Sequence, residues 1–396
     1  MTRKARRLMG GVALLASAAI AVTACSTAAS GGGSSPAASA GSGGSGSNSA
    51  GVTSAGALLA KYMGEPSFTS PGPNLDASKV SGKSLFSIPA NSSVAYVNTV
   101  DKETAKYAKI LGIKYTDYTN QQQQSQWVQG VSQAVSTKAD VLTLLAGLLP
   151  EQISPQLQQA QQAGVKVADV AERNTGQATP AYVNSYVFAP FSTAGQLMAA
   201  YATKATGGKA DVLIISSNAD ISSQPEVDGI TSELTKDCPG CKSRTINVNP
   251  TDWATKLQPT VESALSADPN INYVLPVYDS MAQFAAPAIQ AAGKTGKTFI
   301  ATFNGTPAIL DLVRTGDVVK MDVADNTTDV ALAGLDAAMR LMLNMPNGNQ
   351  QIELRVFDKS NVSEAGSPAA SGVGFGSASL DGYAKTWGVT AGQLGG

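Results

Sequence analysis

The side chains that could do chemistry in this chain are carboxylates, amides, guanidinium groups and aromatic rings, because its 396 residues include no histidine. Without histidine there is no Ser-His-Asp or Cys-His nucleophile and no imidazole metal ligand. No pair of acids stands in a motif typical of general acid–base catalysis. The composition therefore favours a binding protein over an enzyme, and it predicts neither a cofactor nor a metal.

The candidate ligand contacts directly follow apolar runs that we predict as strands. In open parallel sheets, ligands bind beyond the carboxyl ends of the strands. Sugar hydroxyls donate and accept hydrogen bonds, so carboxylate, amide and guanidinium groups bind them, and aromatic rings stack on their C–H faces. The pattern predicts a site for a small polar ligand, above all a sugar. The post-strand residues are Asn91, Glu172, Arg173, Tyr278, Phe303, Asn304 and Asp325.

Several of these residues have a structural alternative that the sequence leaves open. Glu172 and Arg173 could form a solvated ion pair in a surface loop. Phe303 could belong to the core, and Asp279 could cap the helix that follows it. The glutamine run at residues 121–124 is interpreted as a polar loop, with a ligand contact left open.

The spacing of Cys238 and Cys241 admits a redox or a structural interpretation. A redox-active CxxC motif needs its first cysteine at a helix N-terminus, whereas this one follows a predicted helix and precedes a strand. Two thiolates without histidine or further thiols do not complete a structural zinc site. In an exported chain we therefore predict a local structural disulfide.

The N-terminus has the features of an export signal. A basic stretch at residues 1–7 precedes an apolar stretch at 8–22, and Thr23-Ala24-Cys25 resembles the bacterial lipobox. We predict a lipoprotein signal peptide at residues 1–24, diacylation of Cys25 and a flexible Gly/Ser-rich tether at 25–54. The protein would then lie at the outer face of the cytoplasmic membrane. The alternative is an ordinary secretory peptide with an incidental cysteine.

Apolar runs alternate with amphipathic stretches along the middle of the chain. Val141–Leu145 is continuously apolar, as in a strand covered on both faces. Regular strand–helix alternation with short connections predicts parallel sheets. Because the pattern restarts near residue 194, two doubly wound α/β lobes are favoured over one sheet of nine or ten strands. The predicted strands are 85–88, 113–118, 141–145, 165–170, 212–216, 245–248, 273–277, 299–303 and 318–323.

From about residue 82 to 359 the chain resembles the type I periplasmic solute-binding proteins of ABC importers for ribose-like sugars. Three segments carry the resemblance. VKVADVAER at 165–173 resembles that family's strand ending in an acid–Arg pair, and YVLPVYDSM at 273–281 resembles its strand followed by Asp-x-Met. FIATFNG at 299–305 resembles its Gly-Phe-Asp-Gly segment, with Asn304 in place of the acid.

The resemblance implies two lobes joined by a three-stranded hinge, with crossings near Pro190, Asn326 and Asn347. It implies ligand contacts at the acid–Arg pair, a hinge-side contact at Asp325, and aromatic contacts at Trp253 and Tyr96. Trp253 also begins an apolar helical stripe, which leaves a core role open. The family's arginine on the first helix of the second lobe has no counterpart, because Gln224-Pro225-Glu226 stands there.

The expected function is that of a membrane-anchored extracellular solute-binding protein that delivers a monosaccharide or similar ligand to an ABC permease. The 28 basic and 29 acidic residues nearly balance, so the charge does not indicate nucleic-acid binding. We expect a monomer. The alternatives are a receptor for a nucleoside, amino acid or signalling molecule, and a carboxylate-dependent glycosidase. Beyond the signal peptide and tether, the predicted parts are an N-terminal helix and connector (55–82), lobe one (83–188 and 327–348), lobe two (189–326 and 349–365) and a C-terminal tail (366–396).

Overall fold

The computed structural model describes residues 44–348 and 350–395 and contains two six-stranded sheets. The predicted signal peptide, Cys25 and the first part of the tether lie outside the described residues. The strands are β1 (Ser84–Pro89), β2 (Lys114–Asp117), β3 (Val141–Leu145), β4 (Lys166–Asn174), β5 (Ser185–Ala189), β6 (Asp211–Ser216), β7 (Lys242–Asn247), β8 (Tyr273–Pro276), β9 (Phe299–Asn304), β10 (Val319–Asp325), β11 (Gln350–Gln351) and β12 (Leu354–Asp358).

Helices precede, separate and follow these strands. They are α1 (Gly44–Ala60), α2 (Ala95–Ile110), α3 (Gln124–Ser136), α4 (Ser154–Gln162), α5 (Phe191–Ala205), α6 (Ser223–Asp237), α7 (Gln258–Ala267), α8 (Asp279–Ala291), α9 (Pro307–Thr315), α10 (Thr327–Met342), α11 (Ala378–Trp387) and α12 (Ala391–Leu394). None of the helices within the described ranges is both long and apolar enough to cross a membrane.

The two sheets confirm the predicted pair of doubly wound lobes. Lobe one contains the sheet β11-β5-β4-β3-β1-β2, and lobe two contains β12-β10-β9-β8-β6-β7. Neighbouring strands are parallel except β12, which runs antiparallel to β10. Every residue of β3 is buried, as expected of a strand covered by helices on both faces.

The chain passes between the two sheets three times. The first passage is at Pro190, between β5 and α5, and the second is at Asn326, between β10 and α10. The third passage is at residues 352–353, not near Asn347 as predicted. Gln350 and Gln351 pair with β5 and so belong to lobe one. A strand of two glutamines has no apolar pattern from which it could have been recognised.

Helix α1 begins at Gly44, inside the segment that we predicted to be a tether. This prediction is wrong for residues 44–54, and the small residues there explain why. A Cβ on Gly51 would overlap the carbonyl of Asp237 at the end of α6, so the helices approach closely because no side chain intervenes. Ala55 and Leu59 are buried on the same side. Small residues can pack a helix without the bulky apolar stripe that we required.

The C-terminal segment is only partly the irregular tail that we predicted. Residues 366–377 are irregular, but α11 and α12 follow. The Trp387 side chain is fully buried, and its Nε1 donates a hydrogen bond to Asp336 Oδ1 over 2.8 Å. Arg340 Nε and Gln350 Nε2 each donate to Asp336 Oδ2 over 2.6 Å. One buried carboxylate therefore joins α10, β11 and α11.

The predicted disulfide between Cys238 and Cys241 is present, with the two Cα atoms 5.3 Å apart. It closes the short connection between α6 and β7.

Candidate functional site

A cleft lies at the carboxyl ends of strands from both lobes, where the strand-end rule places a ligand. Lobe one contributes the loops after β1, β2 and β3, the start of α2 and part of β4, and lobe two contributes the loops after β6, β7 and β8 and the end of β9. Five of the nine predicted ligand contacts line it: Asn91, Tyr96, Trp253, Tyr278 and Asn304. The other four are Glu172, Arg173, Phe303 and Asp325, and they do not line the cleft.

Two aromatic rings form a wall on the lobe-two side. The ring centroids of Trp253 and Tyr278 are 6.1 Å apart. Trp253 Nε1 donates to the Val248 carbonyl over 2.8 Å, and its indole also packs into the core of lobe two. Tyr278 Oη is 2.7 Å from Ser222 Oγ. Trp253 therefore packs in the core of lobe two and also lines the cleft. The two rings form a flat apolar surface with polar edges.

Tyr96 lies in the first turn of α2 and connects the cleft to the hinge. Its hydroxyl donates a hydrogen bond to Asp325 Oδ2 at the end of β10 over 2.7 Å. Asp325 is buried, and burial raises its pKa to about 8 although the Tyr96 hydrogen bond opposes that rise. The bond runs from lobe one to lobe two. Asp325 thus lies behind Tyr96 and acts on the cleft through it.

The predicted acid–Arg pair lies within a distortion near the end of β4. Ala171 has a φ of 55°, and the β4–β5 register shifts between Val170 and Asn174, as at a β-bulge. Both Glu172 and Arg173 are buried, so the alternative of a solvated surface pair is wrong.

Arg173 is directed to partners other than the cleft. Its Nη2 bonds to Glu151, and its Nη1 donates to the Ala178 carbonyl over 3.1 Å. The structure therefore does not support the predicted ligand contact of Arg173. Glu172 is next to Ala171, which lines the cleft, and burial raises the pKa of Glu172 well above its ordinary value.

Phe303 and Asp279 support the cleft from behind. The Phe303 ring is fully buried and packs edge-to-face on Phe191, which lines the cleft, with the centroids 5.9 Å apart. Asp279 Oδ2 accepts a hydrogen bond from the Thr306 amide over 2.6 Å. This bond fixes the loop that follows Asn304, so Asp279 orders the end of β9 besides beginning its own helix.

Sequence reasoning missed the acid that lines the cleft, Asp220. Its Oδ1 accepts a hydrogen bond from Gln122 Nε2 over 2.9 Å, and its Oδ2 accepts one from Ser217 Oγ over 2.6 Å. Burial raises the Asp220 pKa to about 6. Asp220 and Ser222 follow β6, so the strand-end rule, applied to that strand as well, would have found them. Gln122 belongs to the glutamine run whose role we left open.

Two lobes with a polar and aromatic cleft between them are typical of proteins that bind a small molecule at the junction of the lobes. Residues 85–344 match the family model described as periplasmic binding protein domain. The chain belongs to this family, whose members are binding proteins and not enzymes. The resemblance found in the sequence is thereby confirmed.

Similar proteins are known from several bacteria. A segment of 106 residues is 31% identical to the D-allose-binding periplasmic protein of Escherichia coli (strain K12), covering 26% of this chain and 32% of that relative's length. An ABC transporter solute-binding protein of Actinobacillus succinogenes 130z with bound D-allose has 20% identity and a TM-score of 0.63, covering 71% of this chain and 99% of its own.

A second solved structure extends the structural similarity. The 5-methylthioribose transporter solute-binding protein of Thermotoga lettingae TMO has 15% identity and a TM-score of 0.65, covering 81% of this chain and 95% of its own. At such identities the solved structures show the fold alone. The fold is that of ABC-transporter solute-binding proteins.

Proposed function

We propose that this chain is an exported, membrane-anchored solute-binding protein that captures a small polar ligand between its lobes and delivers it to an ABC permease. The observation that carries the proposal is the cleft itself. It combines the Trp253 and Tyr278 rings with the side chains of Asp220, Gln122 and Asn304 at the carboxyl ends of strands from both lobes. Such a lining suits a ligand with apolar C–H faces and many hydroxyls.

A monosaccharide or similar polyol is the ligand class that the lining and the relatives favour. A segment of 106 residues is 31% identical to a D-allose-binding protein, and solved structures of the same fold contain D-allose and 5-methylthioribose. Each of these ligands belongs to its own protein. What transfers is the expectation of a polyhydroxylated ring.

Export and anchoring rest on the N-terminal residues. The basic stretch, the apolar stretch and the Thr23-Ala24-Cys25 segment support cleavage before Cys25 and its acylation. A single membrane anchor would keep the binding head at the cell surface beside a permease. Metabolic labelling of the full chain with a fatty-acid probe tests this, since the label should be lost in Cys25→Ser.

The ligand proposal is tested by a thermal-shift screen of the mature chain against sugars, nucleosides and amino acids. A ligand that binds the folded state raises the melting temperature as its concentration rises. We expect stabilisation by a sugar or polyol. Stabilisation by amino acids or nucleosides alone would contradict the sugar assignment, and the absence of any stabilising compound would contradict the binding function.

A further inference from the structure

We propose that the ligand of this cleft carries a positively charged nitrogen in addition to its hydroxyl groups, as an amino sugar or an amino alditol does. This inference rests on the proposed function and narrows its ligand class. It follows from the number of acids near the cleft, from the carboxyl oxygens that lack hydrogen-bond partners, and from Arg173, whose guanidinium group is directed away from the cleft.

One carboxyl group lines the cleft, and three more belong to residues that adjoin or contact residues of the lining or lie on a neighbouring helix. Asp220 lines it, Asp325 lies behind Tyr96, Glu172 is next to the lining residue Ala171, and Glu226 lies in the first turn of α6 after the lining residue Ser222. All four side chains are more than nine-tenths buried. Glu226 and Glu172 both raise the pKa of the Tyr278 hydroxyl, and Glu226 also raises that of Tyr96, so these two acids are near the lining phenols.

Most of the oxygens of these acids lack a partner. Within residues 44–348 and 350–395, five of these oxygens have no hydrogen-bond partner of normal geometry. They are both carboxyl oxygens of Glu226, both of Glu172, and Oδ1 of Asp325. The Gly147 amide is near Glu172 and favours its charged form, but desolvation has the larger effect. A buried carboxylate without a partner is strongly unfavourable. A ligand that donates to these oxygens would remove that cost.

Among the described residues, none of these four acids forms an ion pair with a lysine or arginine. Within the described part of the chain, no lysine or arginine lies within 4 Å of any of the four carboxyl groups. Arg173 is held by Glu151 and by the Ala178 carbonyl. Across the same residues, no group of three or more acids or cysteines has an arrangement suited to a metal ion. An organic cation therefore fits this group of acids better than a metal ion does.

The aromatic wall fits the same ligand. Aromatic faces attract ammonium groups and also stack on the C–H faces of a sugar ring. Trp253 and Tyr278 provide such faces beside Asp220, and Tyr96 provides a third at the lobe-one side. A neutral sugar would satisfy hydrogen-bond donors and acceptors, but it would do nothing to favour the ionised form of these buried acids, which a cation stabilises.

The binding of an ammonium group should depend on pH, because the acids must be ionised to attract it. Burial raises the pKa of Asp325 to about 8 and of Asp220 to about 6, and it also raises the pKa values of Glu172 and Glu226 well above their ordinary value. The neighbouring groups that influence them are Asp169 and Arg173 on β4, Asp279 on α8, Asp329 on α10 and the Tyr96 hydroxyl on α2. Binding of a ligand whose amine stays protonated over this range should therefore strengthen from pH 6 to pH 8 and release protons.

The test is isothermal titration of the mature chain at pH 7 with matched pairs of probes. Each pair consists of an amine and its neutral counterpart: D-glucosamine with D-glucose, D-galactosamine with D-galactose, D-mannosamine with D-mannose, and D-glucamine with D-glucitol. We expect at least one amine to bind tenfold or more tightly than its neutral partner. Neutral sugars that bind as tightly as their amines would overturn this inference and leave the proposed function standing. No binding by any probe would contradict both.

A charge-removing variant tests the role of the acids. Glu226→Gln keeps the shape of the side chain, and the matched control Asp228→Asn removes a charge from the exposed side of the same helix. We expect Glu226→Gln to weaken the amine about 10- to 100-fold and to change the neutral partner less than about threefold. Asp228→Asn should change neither. A Glu226→Gln protein that melts cooperatively and keeps the full preference for the amine would overturn the proposal.

Discussion

Gln122 Nε2 in lobe one donates a hydrogen bond to Asp220 Oδ1 in lobe two over 2.9 Å. The bond from the Tyr96 hydroxyl to Asp325 is a second link between side chains of the two lobes. Hinge closure around a ligand is the usual motion of two-lobed binding proteins. The link between Gln122 and Asp220 would have to break when the lobes separate, so it favours the closed state.

Removal of the first link should weaken ligand binding without harming the fold. In Gln122→Ala the closed state loses a hydrogen bond to a carboxylate, so we expect affinity to fall about tenfold. Titration calorimetry measures the effect. Gln123→Ala, at the exposed neighbouring position, is the control. Equal affinities for wild type and both variants would show that this contact plays no part in closure.

The second link should affect stability in a pH-dependent way. Tyr96→Phe leaves Asp325 without the hydroxyl that favours its charged form, so its pKa should rise above about 8. We expect a loss of about 1–3 kcal/mol of unfolding free energy at pH 9, where the carboxylate is ionised. The loss should be smaller at pH 6, where the group is protonated. Urea unfolding at the two pH values measures it, and a larger loss at pH 6 would contradict the assignment.

The buried acids make a prediction about the ligand-free protein. The pKa of Asp325 is raised to about 8, that of Asp279 to about 7 and that of Asp220 to about 6, all from 3.8. Between those values the folded state binds more protons than the unfolded state, so stability falls as pH rises. We expect the melting temperature to increase as pH decreases from about 8 to about 5. A melting temperature that instead increases with pH across this range would contradict the shifts.

Asp336 should be among the most sensitive positions for stability. It forms a fully buried ion pair with Arg340 and accepts hydrogen bonds from Gln350 and Trp387. Asp336→Ala leaves the Arg340 charge buried without its partner, so we expect a loss of about 3–5 kcal/mol. Chemical denaturation provides the measurement. A loss below about 1 kcal/mol would mean that the C-terminal segment is held in place by other contacts.

The fold could be predicted because buried parallel strands are marked by local sequence. Val141–Leu145 was located to the residue, since its apolar run has no polar interruption. β11 could not be found this way, because Gln350 and Gln351 form a strand only through their pairing with β5. The predicted first helix begins too late, at residue 55. Gly51 packs closely against α6 because it has no side chain, and α6 lies nearly two hundred residues further along the chain.

The candidate site was predictable in position and less so in detail. Parallel strand ends locate the cleft, and this rule found Tyr278 and Asn304. It could not reveal the direction of Arg173, because the partner that holds it, Glu151, lies in a different connection of lobe one. Similarly, no local pattern indicates that Asp325 acts through Tyr96, a contact that spans 229 positions of the chain. The hydrogen-bond partners of these polar side chains are brought together only in the folded protein, so the local sequence does not reveal them.

The measurement that tests the cleft most directly is the affinity of the stabilising sugar or amino sugar for wild type, Tyr278→Ala and Asp228→Asn. Tyr278 lines the cleft and holds Ser222, whereas Asp228 is exposed on α6. We predict one binding site per chain in wild type, at least a tenfold weaker affinity in Tyr278→Ala, and no change in Asp228→Asn. A folded Tyr278→Ala protein that binds as tightly as wild type would place the ligand elsewhere and contradict the account.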